Sequence, residues 1–220
     1  MVSGHGVFIT LEGIEGAGKS TQALRLVQAV EACGRTAVAT REPGGGGRVG
    51  ESLRALLKDP AVWADLELSE IFLYAAARAQ HIEAMIAPAL TAGHVVICDR
   101  YLDSTRAYQG FGRGRPMDLI ESLHRLAPLT LRPDRTLLLD LAPHEGLGRA
   151  RTRVNDEHAG YDDADEAFFE RVRNGFLQIA ADEPQRVRVV NAAGSPDDVH
   201  ARVVEALRDL IPALTPVAAR

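Results

Sequence analysis

Short apolar runs alternate along this chain with longer stretches whose apolar residues recur every three or four positions. Val7–Glu12 (VFITLE) is a strand-length run ended by a glycine, and helical spacing follows from Lys19 to about Ala32, where Gly34 stops it. Thr36–Thr40 reads as a second strand, and the glycine cluster Gly44–Gly47 breaks the chain after it. Helical spacing returns over Val49–Lys58 and Leu68–Leu90. Val95–Cys98 (VVIC) is a buried strand between Gly93 and Asp99, and Met117–Ala127 is helical. Arg135–Leu141 (RTLLLDL) is a strand, and a helix begins near Glu145. Beyond a polar stretch come a helix over Glu166–Ala181, a strand over Val187–Val190 and a last helix over Pro196–Ile211.

Strands that alternate with helices predict a parallel sheet covered on both faces, because each parallel crossover lays a helix against the sheet. The expected fold class is therefore α/β: a five-stranded parallel sheet flanked by helices, in one domain spanning residues 1–212. The charged segment 151–165 is expected to be a lid, and residues 213–220 a frayed tail.

Composition narrows the function. Apolar residues make up 46% of the 220 and charged residues 25%, ordinary values for a globular chain with a sizeable core. The net charge of −5 argues against a nucleic-acid partner, which would call for a basic excess. No apolar run approaches the ~20 residues of a membrane helix, the start of the chain has no signal-type pattern, and Cys33 and Cys98 have no metal-like spacing. A cytoplasmic protein with no membrane partner is the expectation. Of 25 basic residues only Lys19 and Lys58 are lysines, so a lysine at a mechanistic position is informative.

Lys19 is at such a position. Gly13-Ile14-Glu15-Gly16-Ala17-Gly18-Lys19-Ser20 is a complete GxxxxGK[ST] sequence between a strand and a helix, with Thr21 just beyond. Glycines let the backbone turn its N–H groups toward phosphate oxygens, and the helix N-terminus adds a favourable dipole. Lys19 then reaches the β- and γ-phosphates, and the Ser20 hydroxyl is a candidate Mg²⁺ ligand. Asp99 ends the Val95–Cys98 strand at the sheet edge that a parallel topology shares with this loop, so it is a second candidate for Mg²⁺, through water, or for orienting Arg100. These residues predict a P-loop fold that binds a nucleoside triphosphate. A regulatory GTPase is disfavoured, since no Asn-Lys-x-Asp segment is present.

The remaining motifs resemble bacterial thymidylate kinases along nearly the whole chain. They are Leu11–Ser20 with an acidic residue at Glu15, Thr40-Arg41-Glu42-Pro43-Gly44-Gly45, Asp99-Arg100-Tyr101 with Ser104, Tyr108-Gln109-Gly110, Pro133-Asp134 before a Leu-rich strand, and the arginines of 149–153. The resemblance implies a nucleoside monophosphate kinase fold and phosphoryl transfer from Mg·ATP to dTMP, giving dTDP and ADP for dTTP supply. It implies that Arg41 and Arg100 bind the acceptor phosphate and that Glu15 sits near the sugar and metal. Tyr74, four residues before Arg78 on one helix face, would stack on thymine where the family usually has Phe, and Arg78 would contact the base edge. Ser104, Thr105, Tyr108 and Gln109 would complete the nucleoside pocket, with Tyr108 disfavouring a ribose 2′-hydroxyl.

A lid arginine would neutralise the transferring group. Arg151 and Arg153 are the candidates, with Arg149 assigned to the helix itself. The lid departs from the family pattern at Ala159-Gly160-Tyr161-Asp162-Asp163. The resemblance also implies a homodimer. Two other readings stay open: another nucleoside or nucleotide kinase on this fold, and a non-catalytic nucleotide-binding protein.

Overall fold

A computed structural model describes residues 5–59, 66–151 and 166–217 of the chain. Five strands form one parallel sheet in the order β2-β3-β1-β4-β5: β1 Val7–Glu12, β2 Ala37–Arg41, β3 Val95–Asp99, β4 Arg135–Asp140 and β5 Val187–Asn191. The central strands are apolar on both faces, as a doubly covered parallel sheet requires. Alternation then divides them. Val7, Ile9, Leu11, Val95 and Ile97 pack in one layer, while Phe8, Val96 and Cys98 pack in the layer opposite.

The first layer contains α1 (Lys19–Ala32) and α9 (Pro196–Glu205). Against the other face lies a long helical stretch: α3 (Ser69–His81), a π-helical turn (Ile82–Ile86) and α4 (Ala87–Thr91). The sequence pattern predicts one unbroken helix there. Pro88 has no N–H to donate four residues back, which accounts for a change in helical repeat just before it. Also outside the sheet are α2 (Gly47–Lys58), α6 (Met117–Leu123), α7 (Pro143–Arg151) and α8 (Glu166–Asp182).

Two elements differ from the sequence expectation. Leu102–Thr105 (α5) and a π-helical turn at Arg106–Gly112 form a helical segment that periodicity does not reveal. Gly110 and Gly112 lower its intrinsic helicity, but they let it pack closely. A methyl group on Gly112 would lie 2.8 Å from the Phe168 ring and from Val172. The tail is the second correction. Residues 213–217 are not frayed: Leu214 is 2% exposed within the first core layer, and Arg25 donates to the Val217 carbonyl at 2.6 Å.

The register places the strand ends level. Leu11 and Arg41 both pair with Asp99, and Glu12 pairs with Leu138. Three sequence motifs therefore emerge at one sheet edge.

Truncating the packed tail should be costly. Leu214→Ala is expected to destabilise the protein by about 2–5 kcal/mol, lowering the melting temperature by roughly 5–15 °C. A frayed tail would leave thermal unfolding unchanged.

Candidate active site

The loop between β1 and α1 supplies the phosphate-binding geometry. Gly13, Gly16 and Gly18 all have positive φ, at 137°, 72° and 90°, so the turn takes backbone conformations that other residues rarely adopt. Lys19 is 7% exposed and donates from Nζ to the carbonyls of Gly13 (3.0 Å) and Ile14 (2.8 Å). Burial, then repulsion from Arg100, lowers its pKa to about 8, against the attraction of Asp99, Glu15 and Glu12. Ser20 Oγ donates to Asp99 Oδ2 at 2.5 Å, bringing together the two residues proposed from sequence as metal ligands. Thr21, one residue further, is exposed.

Beside the loop stands Arg100, whose φ of 68° makes it the one non-glycine residue with positive φ among those described. Such a backbone persists only where its surroundings fix it. Here Arg100 N–H donates to the Leu11 carbonyl at 3.0 Å, and the next N–H, of Tyr101, donates to Glu12 Oε1 at 2.8 Å. Glu12, fully buried, also accepts from Ser104 Oγ at 2.6 Å and Ser104 N–H at 3.3 Å. Burial first, and Asp103 second, push its carboxyl up to about 8. The turn aims the Arg100 guanidinium at the phosphate loop. Nη1 donates to Gly13 O and Ser104 Oγ, and Nη2 to Glu15 Oε1 at 2.8 Å and to Tyr108 Oη at 3.1 Å. Tyr108 in turn donates to Glu15 Oε2 at 2.6 Å, and burial holds its hydroxyl well above the usual tyrosine range.

The sequence candidates thus fall into groups. Glu15, Lys19, Ser20, Asp99, Arg100, Ser104 and Tyr108 meet at one edge of the sheet. Arg78 and Thr105 form a second group beneath, with Tyr74 one turn before Arg78 on α3 and half-buried. Arg41 is half-exposed at the end of β2, 3.4 Å from Glu51. Gln109 is buried and donates to Glu70 at 3.4 Å. Arg151 is exposed at the end of α7, while Arg153 and the lid departure at 159–163 lie outside the described residues.

Arg78 is the hub of the second group. It is 2% exposed. Nε donates to Glu42 at 2.8 Å, Nη1 to His124 Nε2 at 2.7 Å, and Nη2 to Tyr101 O and Thr105 Oγ1. A guanidinium so deeply buried has to be paired, which explains this arrangement. His124 must accept at Nε2 from a permanent cation, so its proton sits on Nδ1, which donates to Ile120 O at 2.7 Å. Burial, then Arg78, lowers its pKa to about 3. His81 bridges Glu42 (3.1 Å) and Thr40 (2.6 Å), tying this network to the end of β2.

Sequence reasoning missed Glu12, Glu42, His81, His124 and Glu70. A carboxylate closing an apolar strand is a usable signal for Glu12. His81 lies three residues after Arg78 and so shares its helix face. Glu70 and His124 carry no local signal, because their partners come from distant segments.

The family model for thymidylate kinase matches residues 11–203. A thymidylate kinase of Desulfosudis oleivorans is 48% identical over 206 residues, covering 91% of this chain and 96% of the relative. One of Solidesulfovibrio magneticus is 49% identical over 198 residues, covering 88% and 94%. The crystal structure of thymidylate kinase from Ehrlichia chaffeensis matches with a TM-score of 0.74 at 34% identity, covering 92% of this chain and 98% of that one. The chain belongs to the thymidylate kinase family.

Breaking the buried pair should be severe. Arg78→Met leaves Glu42 buried without its cation and is expected to cost about 3–5 kcal/mol in denaturant unfolding. A loss below about 1 kcal/mol would show that the network does not hold the fold. His124 gives a pH signature. Its folded pKa is depressed, so between about 3 and 6.5 the unfolded chain binds up to about one more proton, and stability falls as pH drops through that window. His124→Gln should flatten the slope of stability against pH there by up to about one proton, with no change of slope above pH 7.

Proposed function

We propose that this member of the thymidylate kinase family transfers the terminal phosphoryl group of ATP to dTMP, giving dTDP and ADP. One observation carries the reading: the phosphate loop, with Lys19 and the Ser20–Asp99 pair, opens at the same sheet edge as the Glu15–Arg100–Tyr108 cluster. A donor phosphate and an acceptor phosphate can therefore be held side by side, and phosphoryl transfer depends mainly on such positioning and on charge neutralisation.

In this reading the backbone N–H groups of Gly13–Lys19 and the Thr21 region surround the donor phosphates. Lys19, now resting on two peptide carbonyls, exchanges them for phosphate oxygens. A site of one hydroxyl and one carboxylate suits Mg²⁺, which takes few protein oxygens and completes its shell with phosphate and water. Bound at Ser20 and Asp99, it would neutralise charge on the donor phosphates. Arg100 fixes positive charge beside the loop, and Arg41 adds a second guanidinium from the end of β2 for the acceptor phosphate.

Glu15 and Tyr108 bound the sugar side, where the locked Tyr108 ring leaves little room for a 2′-hydroxyl. Tyr74 stacks on the base, Ser104, Thr105 and Gln109 line its pocket, and Arg78 supports that pocket from below while contributing to the base edge. Arg151 and Arg153 supply charge from the lid side on closure. No general base is needed, since the acceptor phosphate is already ionised. Exposed Leu68 and Phe72, at and near the start of α3, support a homodimer interface.

The experiment is ADP release with Mg·ATP against dTMP, dUMP, dCMP, AMP, GMP and thymidine. A strong preference for dTMP is expected. Preference for another acceptor would overturn the base-site assignment, and ATP binding without turnover would overturn the kinase reading. Lys19→Ala should lower kcat by about 10²–10³-fold, the scale for removing one preorganised charge donor, with the melting temperature little changed. Activity near wild type would remove Lys19 from the mechanism.

A further inference from the structure

The GxxxxGK[ST] pattern asks for glycine at positions 13 and 18 and leaves position 16 open, yet residue 16 is glycine. Part of the reason is its φ of 72°. The rest lies across the structure, in α7. A methyl group on Gly16 would stand 2.0 Å from the Gly146 carbonyl oxygen and 2.7 Å from its carbonyl carbon. The exclusion is mutual: a methyl group on Gly146 would stand 2.5 Å from the Glu15 carbonyl oxygen and 3.0 Å from Ile14 Cδ1. The nearest obstacle on each side is backbone, which has no flexible end to move aside. Gly148, two residues further along the same helix, has nothing within 4 Å of where its methyl group would go. The two glycines of this helix therefore differ in cause.

We infer that Gly146 is a positioning residue of the phosphoryl-transfer site: having no side chain, it seats α7 directly on the phosphate loop at Glu15 and Gly16. That seat sets the spacing between the loop and the arginines that α7 carries. The inference rests on the kinase reading above. Arg149 follows Gly146 by three residues, on the same helix face, and donates to the Ala192 carbonyl at 3.2 Å. Arg151 ends the helix two residues later. A helix moves as a rigid rod over so short a span, so a shift at residue 146 is passed on to both. Restoring ordinary contact after adding a methyl group requires a displacement of roughly 1 Å. A misplacement of that size can lower turnover by up to about 10²-fold.

The test compares Gly146→Ala with Gly148→Ala, both of which raise helix propensity by the same chemistry. Gly148→Ala should melt at or above the wild-type temperature and keep kcat within about two-fold. Gly146→Ala should lower kcat about ten-fold or more and weaken ADP binding, measured by calorimetry, while the KM for dTMP changes by less than about two-fold. A merely structural contact would not separate the two substrates in this way. Near-wild-type kcat and ADP affinity in Gly146→Ala would overturn the inference, as would equal losses for both substrates.

Should Gly146→Ala not fold, Ile14→Val/Gly146→Ala opens space beside the new methyl group but keeps the clash with the Glu15 carbonyl. It should recover folding and not ADP affinity, and recovery of both would equally overturn the inference. Wild-type turnover of dTMP is recorded alongside. Its absence would remove the kinase reading, and the ADP-affinity comparison would still decide the seat.

Discussion

The buried carboxylate of Glu12 is the constraint on which the site depends. It sits at the end of β1, one residue before the phosphate loop, and accepts the N–H groups of Tyr101 and Ser104 and the Ser104 hydroxyl. Those bonds stitch the end of β3 onto the end of β1 and hold Arg100 in its left-handed backbone conformation. From this conformation the Arg100 side chain reaches the phosphate loop, where it donates to the Gly13 carbonyl and to Glu15. Burying a carboxyl group is expensive unless hydrogen bonds replace its water, and here burial still outweighs them, pushing the Glu12 pKa up to about 8. Three donors from one short segment supply those bonds for Glu12, and in return they make the position of that segment non-negotiable.

A second buried carboxylate, Glu42, does the same for the other wall. It bonds to Arg78 and His81, and through them connects the end of β2, helix α3, the Tyr101–Thr105 segment and His124. Arginine suits this role better than lysine, because its planar fork serves four partners in fixed directions. A neutral His124 is equally necessary, since a protonated ring would face the guanidinium with like charge. This layer is thus built from charges that compensate one another below the surface.

How much of this was legible in the sequence follows from the range of each interaction. The sheet was legible, because central parallel strands are apolar on both faces and announce themselves as runs such as VVIC. The phosphate loop was legible, because its chemistry is contained in eight consecutive residues. The Leu102–Gly112 segment was not, since its glycines contradict helical propensity and its shape is set by contact with Phe168 and Val172 on a distant helix. The tail was misread for a related reason. Leu214 and the Val217 carbonyl are held by the first core layer and by Arg25, and neither partner is near in sequence. Arg78 shows a limit of another kind: spacing puts it on one helix face with Tyr74, but only the fold shows the buried Glu42 carboxylate with which it pairs.

These features describe a site with two kinds of order. Around Arg100, the side chains of Ser104, Tyr108 and Glu15 are bonded to its guanidinium, which also bonds the loop backbone, so their geometry is set by the fold itself. Preorganised charge of this kind needs no reorganisation during reaction. On the side of α7, contact with the loop is backbone against backbone at Gly16 and Gly146. The glycine-to-glycine contact sets this part of α7 against the loop at a distance that only two bare backbones allow, and the helix carries that placement on to Arg149 and Arg151.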